Sequence, residues 1–344
     1  MTHPWLQAVE TEFAERLQGG RVAHAFLISG PPGTGKGELA GRFMASLLCL
    51  EGGYPACGSC RSCSLLQTGA HPDGHVVTFE QHPKKDELRT EIVIDQVRRL
   101  TECLQLTNTI SRRKAALIHP AEAMNSSAAN ALLKTLEEPP GDATLLLVSH
   151  QPSRLPATIR SRCQALHVRL PERQAALAWL EQAVVQAPAQ SSAQASVEAA
   201  LALEAAAGSP LVALRMLGQG ETRAYRELDA TLDTLRAGRC EPAAAMAAVA
   251  EIDPAQLWSW LSLRAARETR ACLDGDSHHR ASVDHQGADP ARLARRFADL
   301  QRESDRNRRL VPTPVRKDLL LQDWLIQWSR LGEGLDPARP GLQG

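Results

Sequence analysis

Aromatic side chains make up only 4% of the 344 residues, so the chain lacks the stacking platforms that hold single-stranded nucleic acid. It also lacks net charge: 39 Lys and Arg balance 39 Asp and Glu. Without a global basic field, autonomous binding to a polyanion is not expected, and nucleic acid would be reached through partners. Lysine is scarce, occurring only at positions 36, 84, 85, 114, 134 and 317. No apolar run approaches the roughly 18 residues needed to span a bilayer. The opening residues, MTHPWLQAVETEF, have neither a cationic start nor a continuous apolar segment of secretory type. These absences point to a cytoplasmic protein with no membrane contact. In a reducing cytosol the eight cysteines are not expected to form disulfides.

What is present is a globular composition, 43% apolar and 23% charged. At about 150 residues per domain the length suggests two or three domains. A short apolar strand at 26–29 (FLIS) runs directly into Gly30-Pro31-Pro32-Gly33-Thr34-Gly35-Lys36 and a helix-like stretch. Further strand-like runs fall at 75–79, 115–118, 145–149 and 165–168, with helical periodicity over 94–106 and 126–137. Such alternation implies a parallel sheet with helices on both faces. Asn125 or Ser126 can cap the second of those helices, and Pro139-Pro140 ends it. Beyond about Leu170 the strand pattern disappears and the chain reads as all-α. QAPAQSSAQAS (186–196) and the His-containing stretch 274–290 read as exposed loops. Gly-Ser-Pro at 208–210 and GQG at 218–220 place a domain boundary near 212–220. Two or three His in the second loop could bind metal, but no cysteine or paired-carboxylate motif accompanies them.

The glycines of Gly30–Lys36 would let backbone N–H groups approach phosphates, and Lys36 would contact the terminal ones. The Ser or Thr that would hold Mg²⁺ is missing, because position 37 is Gly. Hydrolysis also needs an acidic pair at the end of a later strand. The strand 115–118 ends in His119-Pro120-Ala121-Glu122 instead, and Glu122, displaced by two residues, is expected to point elsewhere. Gly30, Gly33, Thr34, Gly35 and Lys36 therefore form a degenerate nucleotide loop that does not hydrolyse ATP efficiently by itself. The residues leave open whether ATP or ADP rests in it.

Cys49, Cys57, Cys60 and Cys63 cluster behind the first helix in overlapping C-x-x-C steps. Four thiolates satisfy tetrahedral Zn²⁺ in closed, structural sites. A redox C-x-x-C pair is the rival, and the clustering favours zinc. Cys103, Cys163, Cys240 and Cys272 are dispersed and read as small, mainly buried residues.

The four-cysteine insertion behind GPPGTGK, His71-Pro72-Asp73, NALLKTLEEPP at 130–140 and Ser161-Arg162-Cys163 together closely resemble the bacterial DNA polymerase III clamp-loader ATPase family, and most closely its delta-prime members. The resemblance is dense over about 20–170. It implies an α/β plus all-α fold: an AAA+ P-loop module with a zinc knuckle (1–168, knuckle 49–63), a small helical lid (169–214) and a helical collar (215–344). It implies that Arg162 acts in trans as an arginine finger in the ATP site of a neighbouring gamma/tau motor subunit; the alternative for this residue is a surface salt bridge. The implied partners are those motors and a delta subunit in a hetero-pentamer, with the sliding clamp and primer-template DNA reached through the complex. Such a chain would have no activity alone but would belong to a DNA-directed DNA polymerase (nucleotidyltransferase) holoenzyme. The family's sensor Ser/Thr falls on Ser149 and the lid-domain sensor arginine on Leu211, a further departure from the ATPase pattern. Lys134 and Glu137 read as a solvated helical pair. Two alternatives stand beside this reading: an active gamma/tau-type ATPase, opposed by Gly37, His119, Pro120 and Leu211, and a zinc-dependent DNA-binding module, opposed by the neutral charge balance. The helix-like segment KDLLLQDWLIQW (317–328) is apolar around much of its circumference and suits a core or a collar interface.

Overall fold

The structure, a computed structural model, describes residues 3–20, 22–82, 86–185, 192–274 and 289–331. Two compact units emerge, one of Met1–Ala176 with Ser209–Val212, the other of Leu177–Gly208 with Ala213–Gly344.

In the first unit, α1 (Gln7–Gln18), β1 (Ala25–Ser29), α2 (Lys36–Leu48), α3 (Arg61–Gln67), β2 (Gly74–Val77), α4 (Ile94–Gln105), β3 (Ala115–Ile118), α5 (Ser126–Glu137), β4 (Thr144–Ser149), α6 (Ala157–Arg160) and β5 (Gln164–His167) follow one another. The strands make one sheet in the order β2-β3-β4-β1-β5, with every pairing parallel. A central strand of a parallel sheet is covered on both faces, so its sequence is apolar throughout rather than alternating. AFLIS, AALI and TLLLVS, all fully buried, meet that requirement. Successive side chains then serve opposite faces. Phe26 and Ile28 join Phe13, Leu39 and Phe43 from α1 and α2, whereas Leu27 joins Val97, Leu100 and Leu132 from α4 and α5. Helix α5 starts where a cap was expected: Asn125 Oδ1 accepts from the Ala128 N–H at 2.9 Å. The sheet ends of β1, β3 and β4 thereby point the phosphate-like loop, His119 and Ser149 toward one edge.

The second unit holds most of α7 (Arg173–Val185), then α8 (Ser192–Ala205), most of α9 (Pro210–Gln219), α10 (Glu221–Arg236), α11 (Pro242–Ala248), α12 (Pro254–Asp274), α13 (Pro290–Leu310) and α14 (Lys317–Ser329). In its core, Trp324 and Trp328 stack at 5.2 Å, and their indole N–H groups donate to the Leu300 and Leu232 carbonyls. The Arg264 guanidinium lies 5.6 Å from the Trp328 ring and pairs with Asp233, Asp229 and Glu268. Burial opposes its charge, but those three carboxylates raise its pKa and keep it ionised. Buried ion networks of this kind are weak sources of net stability, yet removing one member leaves the others uncompensated. The segment 317–328 therefore supplies core residues, although Leu319 on it stays 51% exposed.

Two sequence expectations change. The loop expected over 186–196 is already helical from Ser192, because Ala and Gln are good helix formers even in a repetitive stretch; residues 186–191 lie outside the described residues. The four dispersed cysteines are half-buried rather than buried. Of the expected loop at 274–290, residues 275–288 lie outside the described residues, and with them its histidines. Among the described residues no single helix is long and apolar enough to cross a membrane.

Candidate functional site

The loop between β1 and α2 has the backbone of a phosphate cradle, but its own chain fills it. Lys36 is 2% exposed, and its ammonium donates to the Pro31 carbonyl and to Thr34 Oγ1. Thr34 Oγ1 in turn donates to Pro31 O. Ser209 Oγ donates to the Pro32 carbonyl at 2.8 Å, and the Leu211 N–H lies 3.3 Å from the Gly33 carbonyl. Gly33 has φ +66°, and an added Cβ would come within 2.4 Å of Ser209 Oγ and Val212 Cγ2, so the segment 209–212 rests directly on the loop. On the other side, Trp5 Nε1 donates to Thr34 O at 2.9 Å and His3 packs where a Cβ on Gly35 would stand.

The site also explains Gly37. A Cβ there would meet His119 Nε2 at 3.3 Å, so a Ser or Thr at this position would need the imidazole to give by a few tenths of an ångström. The two departures from an ATPase pattern, Gly37 and His119, therefore fit each other. Imidazole is also a poor replacement for carboxylate here, since Mg²⁺ takes oxygen ligands. His119 and His150 meet edge to face at 5.4 Å, and burial holds both below the usual histidine pKa, with Lys36 pushing the same way. Glu122 does not point elsewhere as expected: its Oε1 accepts from the His150 N–H at 2.9 Å, and its charge is felt at Lys36. Position in sequence could not show this, because the 3-10 turn at Ala121–Ala123 swings the carboxylate back.

Burial pushes the Lys36 ammonium down to about 8, with Glu122 partly opposing. Between this value and the ordinary 10.5 the unfolded chain binds more protons on Lys36 than the folded chain does, so stability from this group rises with pH; below about 8 the burial penalty is present in full. Lys36→Met should accordingly stabilise the first unit at pH 7, by on the order of 1–2 kcal/mol. The gain should shrink as pH rises from 8 toward 10 in urea titrations of the two proteins. A pH-independent difference would disprove the buried, strained ammonium.

Cys49, Cys57, Cys60 and Cys63 bring their sulfur atoms within 4.8 Å of one another, a group that can hold a metal ion. Cys57 Sγ and Cys63 Sγ are 3.9 Å apart, close to the roughly 3.8 Å edge of a tetrahedron with metal–sulfur bonds of about 2.3 Å. The N–H groups of Ser59 and Cys60 lower the Cys57 thiol to about 6, and that of Cys63 lowers Cys60. Burial and the neighbouring thiols push Cys63 up to about 12, an opposition that a bound dication would relieve. A network anchors the cluster to the sheet. The Asp73 N–H donates to His71 Nδ1 at 3.0 Å, which fixes Nε2 as the protonated nitrogen, and Nε2 donates to Ser62 Oγ at 2.8 Å. Ser62 and Ser111 both donate to Leu48 O at 2.7 Å. Burial opposes ionisation of Asp73, yet N–H groups of Thr109, Ile110 and Ser111 hold its carboxyl below the usual range. His71-Pro72-Asp73 thus works as the splint between the cysteines and the sheet, a role its sequence position did not disclose.

Arg162 follows α6 on a turn, 35% exposed, with Nη1 donating to Thr158 O at 3.0 Å and Nη2 2.6 Å from Glu137 Oε1. Among the described residues these polar contacts do not reach the Gly30–Lys36 loop. Glu137 is therefore not the solvated partner of Lys134 that helical spacing suggested; it closes α5 against the Arg162 turn.

Residues 5–172 match a family model described as "DNA polymerase III, delta subunit". The DNA polymerase III subunit delta' of Pseudomonas aeruginosa is 46% identical over 219 residues, 63% of this chain and 62% of that protein. That of Escherichia coli is 37% identical over 227 residues, 65% of this chain and 63% of that protein. The subunit tau/gamma of Haemophilus influenzae is 33% identical over 160 residues, 46% of this chain but 22% of that protein. The chain spans less than two thirds of the length of these delta' relatives, and residues 5–172 hold the loop, the four cysteines and Arg162. Over residues 5–172, just under half of its length, the chain is similar to the DNA polymerase III delta and delta' subunits.

Proposed function

We propose that the chain serves as the non-hydrolysing delta-prime subunit of a DNA polymerase III clamp loader. It sits in a hetero-pentamer with gamma/tau motor subunits and a delta subunit, and helps load the sliding clamp onto primer-template DNA. Residues 169–214 serve as a small helical lid and residues 215–344 as a collar that holds the ring together. The observation that carries this reading is the closed loop. Lys36 donates to Pro31 and Thr34, and His119 crowds the position from which a metal-holding hydroxyl would project. Position 37 carries no hydroxyl, positions 119 and 120 carry no acid, and Glu122 is engaged by the His150 N–H, so the chain contributes chemistry through another subunit.

Arg162 supplies that chemistry as a finger in trans. A planar guanidinium that reaches two phosphate oxygens at once stabilises charge developing on a transferred phosphoryl group. The four cysteines hold structural Zn²⁺, whose all-sulfur set leaves no open position for catalysis. The chain's own residues, Ser62, His71 and Asp73, orient the knuckle.

Purified alone, the chain should hydrolyse ATP no faster than a Lys36→Ala control at saturating Mg²⁺ and ATP. Turnover that depends on Lys36 would defeat the non-hydrolysing reading in favour of an active gamma/tau-type ATPase.

A further inference from the structure

Both terminal nitrogens of Arg162 are engaged, Nη1 by Thr158 O and Nη2 by Glu137 Oε1. Those nitrogens are the fork that meets paired oxygens when arginine binds phosphate. A residue that merely aimed the side chain would grip its stem and leave the fork open. Glu137 takes up one tine with a full negative charge, from the last residue of α5, immediately before Glu138-Pro139-Pro140.

We infer that Glu137 is a latch on Arg162, occupying the fork until a neighbour's phosphate displaces it. The inference rests on the finger reading. Paired with Glu137, the guanidinium presents little net charge to an approaching nucleotide; released, it presents a full positive charge. Exchange is easy because the pair is half exposed, with side chains 35% and 49% accessible, and ion pairs in such settings are weak. A γ-phosphate carries more charge than one carboxylate and offers the fork two oxygens, so it wins once the neighbouring site closes around it. A loosely docked neighbour does not. The latch therefore suppresses turnover in an open ring and leaves the closed ring at full rate. Glu137 acts through Arg162 and does not itself touch the reacting atoms.

The test uses the full loader, reconstituted from this chain with its motor and delta subunits, and reads single-turnover ATP hydrolysis with and without primed DNA. Glu137→Gln keeps the shape of the side chain and removes its charge. It should raise the DNA-free rate about two- to fivefold, the size expected for release of a weak exposed pair. The DNA-stimulated rate should hardly change, and the gain should vanish in the Glu137→Gln, Arg162→Ala double variant. An unchanged or lower DNA-free rate, or a gain that survives in the double variant, overturns the latch. Arg162→Ala alone separates the two levels. If it slows the DNA-stimulated rate while Glu137→Gln raises nothing, the latch fails and the finger stands; if it alters neither rate, both fail. Equal incorporation of every variant, checked by gel filtration of the loader, shows that a change in rate is not a change in assembly.

Discussion

Stripping the metal with excess chelator should release one Zn²⁺ per chain and unfold the segment around 49–67 while leaving the sheet intact. Apparent binding free energies of structural zinc in small peptides are about 10–16 kcal/mol near neutral pH, and that energy is folding energy for whatever the metal organises. Here the organised segment is short. The cores on the two sheet faces are built mainly from β1, β3, β4 and their flanking helices, with Leu48, Leu66 and Tyr54, which packs edge to face on Phe13 and Phe43, the contacts at the knuckle. Hydrogen exchange should therefore show protection lost at α3 and the Cys57–Cys60 turn, spreading through Ser62 to His71, but retained in β1, β3 and β4. Cys60→Ser should give the same local pattern with lower metal content in native mass spectrometry. Full zinc occupancy in a variant lacking Cys57, Cys60 and Cys63 would rule out the site.

Replacing Arg162 with Ala should slow hydrolysis at the one motor site that depends on it by about 10³–10⁵-fold, the range for arginine fingers elsewhere. Bulk turnover would fall much less, because the other motor sites do not depend on this chain, so the effect belongs in single-site turnover or clamp-loading rate. Folding, zinc content and assembly should persist, since a partly exposed arginine paired with a surface glutamate contributes little stability. Arg162→Lys should rescue poorly, because lysine keeps the charge but not the planar fork. Wild-type loading by a complex that contains Arg162→Ala would reduce the residue to a structural surface charge.

Local features were legible in the sequence. The strand 115–118 and the helix 126–137 match the expected bounds, because an uninterrupted apolar run and an Asn cap with a terminating proline pair act over a few residues. The cysteine cluster was legible for the same reason: three of its ligands lie within seven positions. Contacts between distant segments were not. Nothing near Gly37 announces that His119, 82 positions on, packs against the site of its missing side chain, and nothing near Gly33 announces Ser209 and Val212. Glu137 was misassigned to Lys134 because helical spacing offered a nearby partner; the turn carrying Arg162 competes for it across the α5–α6 packing. The sequence shows Gly37, His119 and Pro120 where an ATPase would carry its hydroxyl and its acids. Only the fold shows that His119 packs against Gly37.

ATP turnover by the reconstituted loader, with either Lys36→Ala or Arg162→Ala in this chain and every other subunit unchanged, tests most directly whether the subunit works through its neighbour. Lys36→Ala should match wild type in both single-site turnover and clamp loading, since the loop it belongs to is closed, whereas Arg162→Ala should lose the site it serves. The reverse pattern, loss with Lys36→Ala and none with Arg162→Ala, would contradict the assignment and make this chain a motor in its own right.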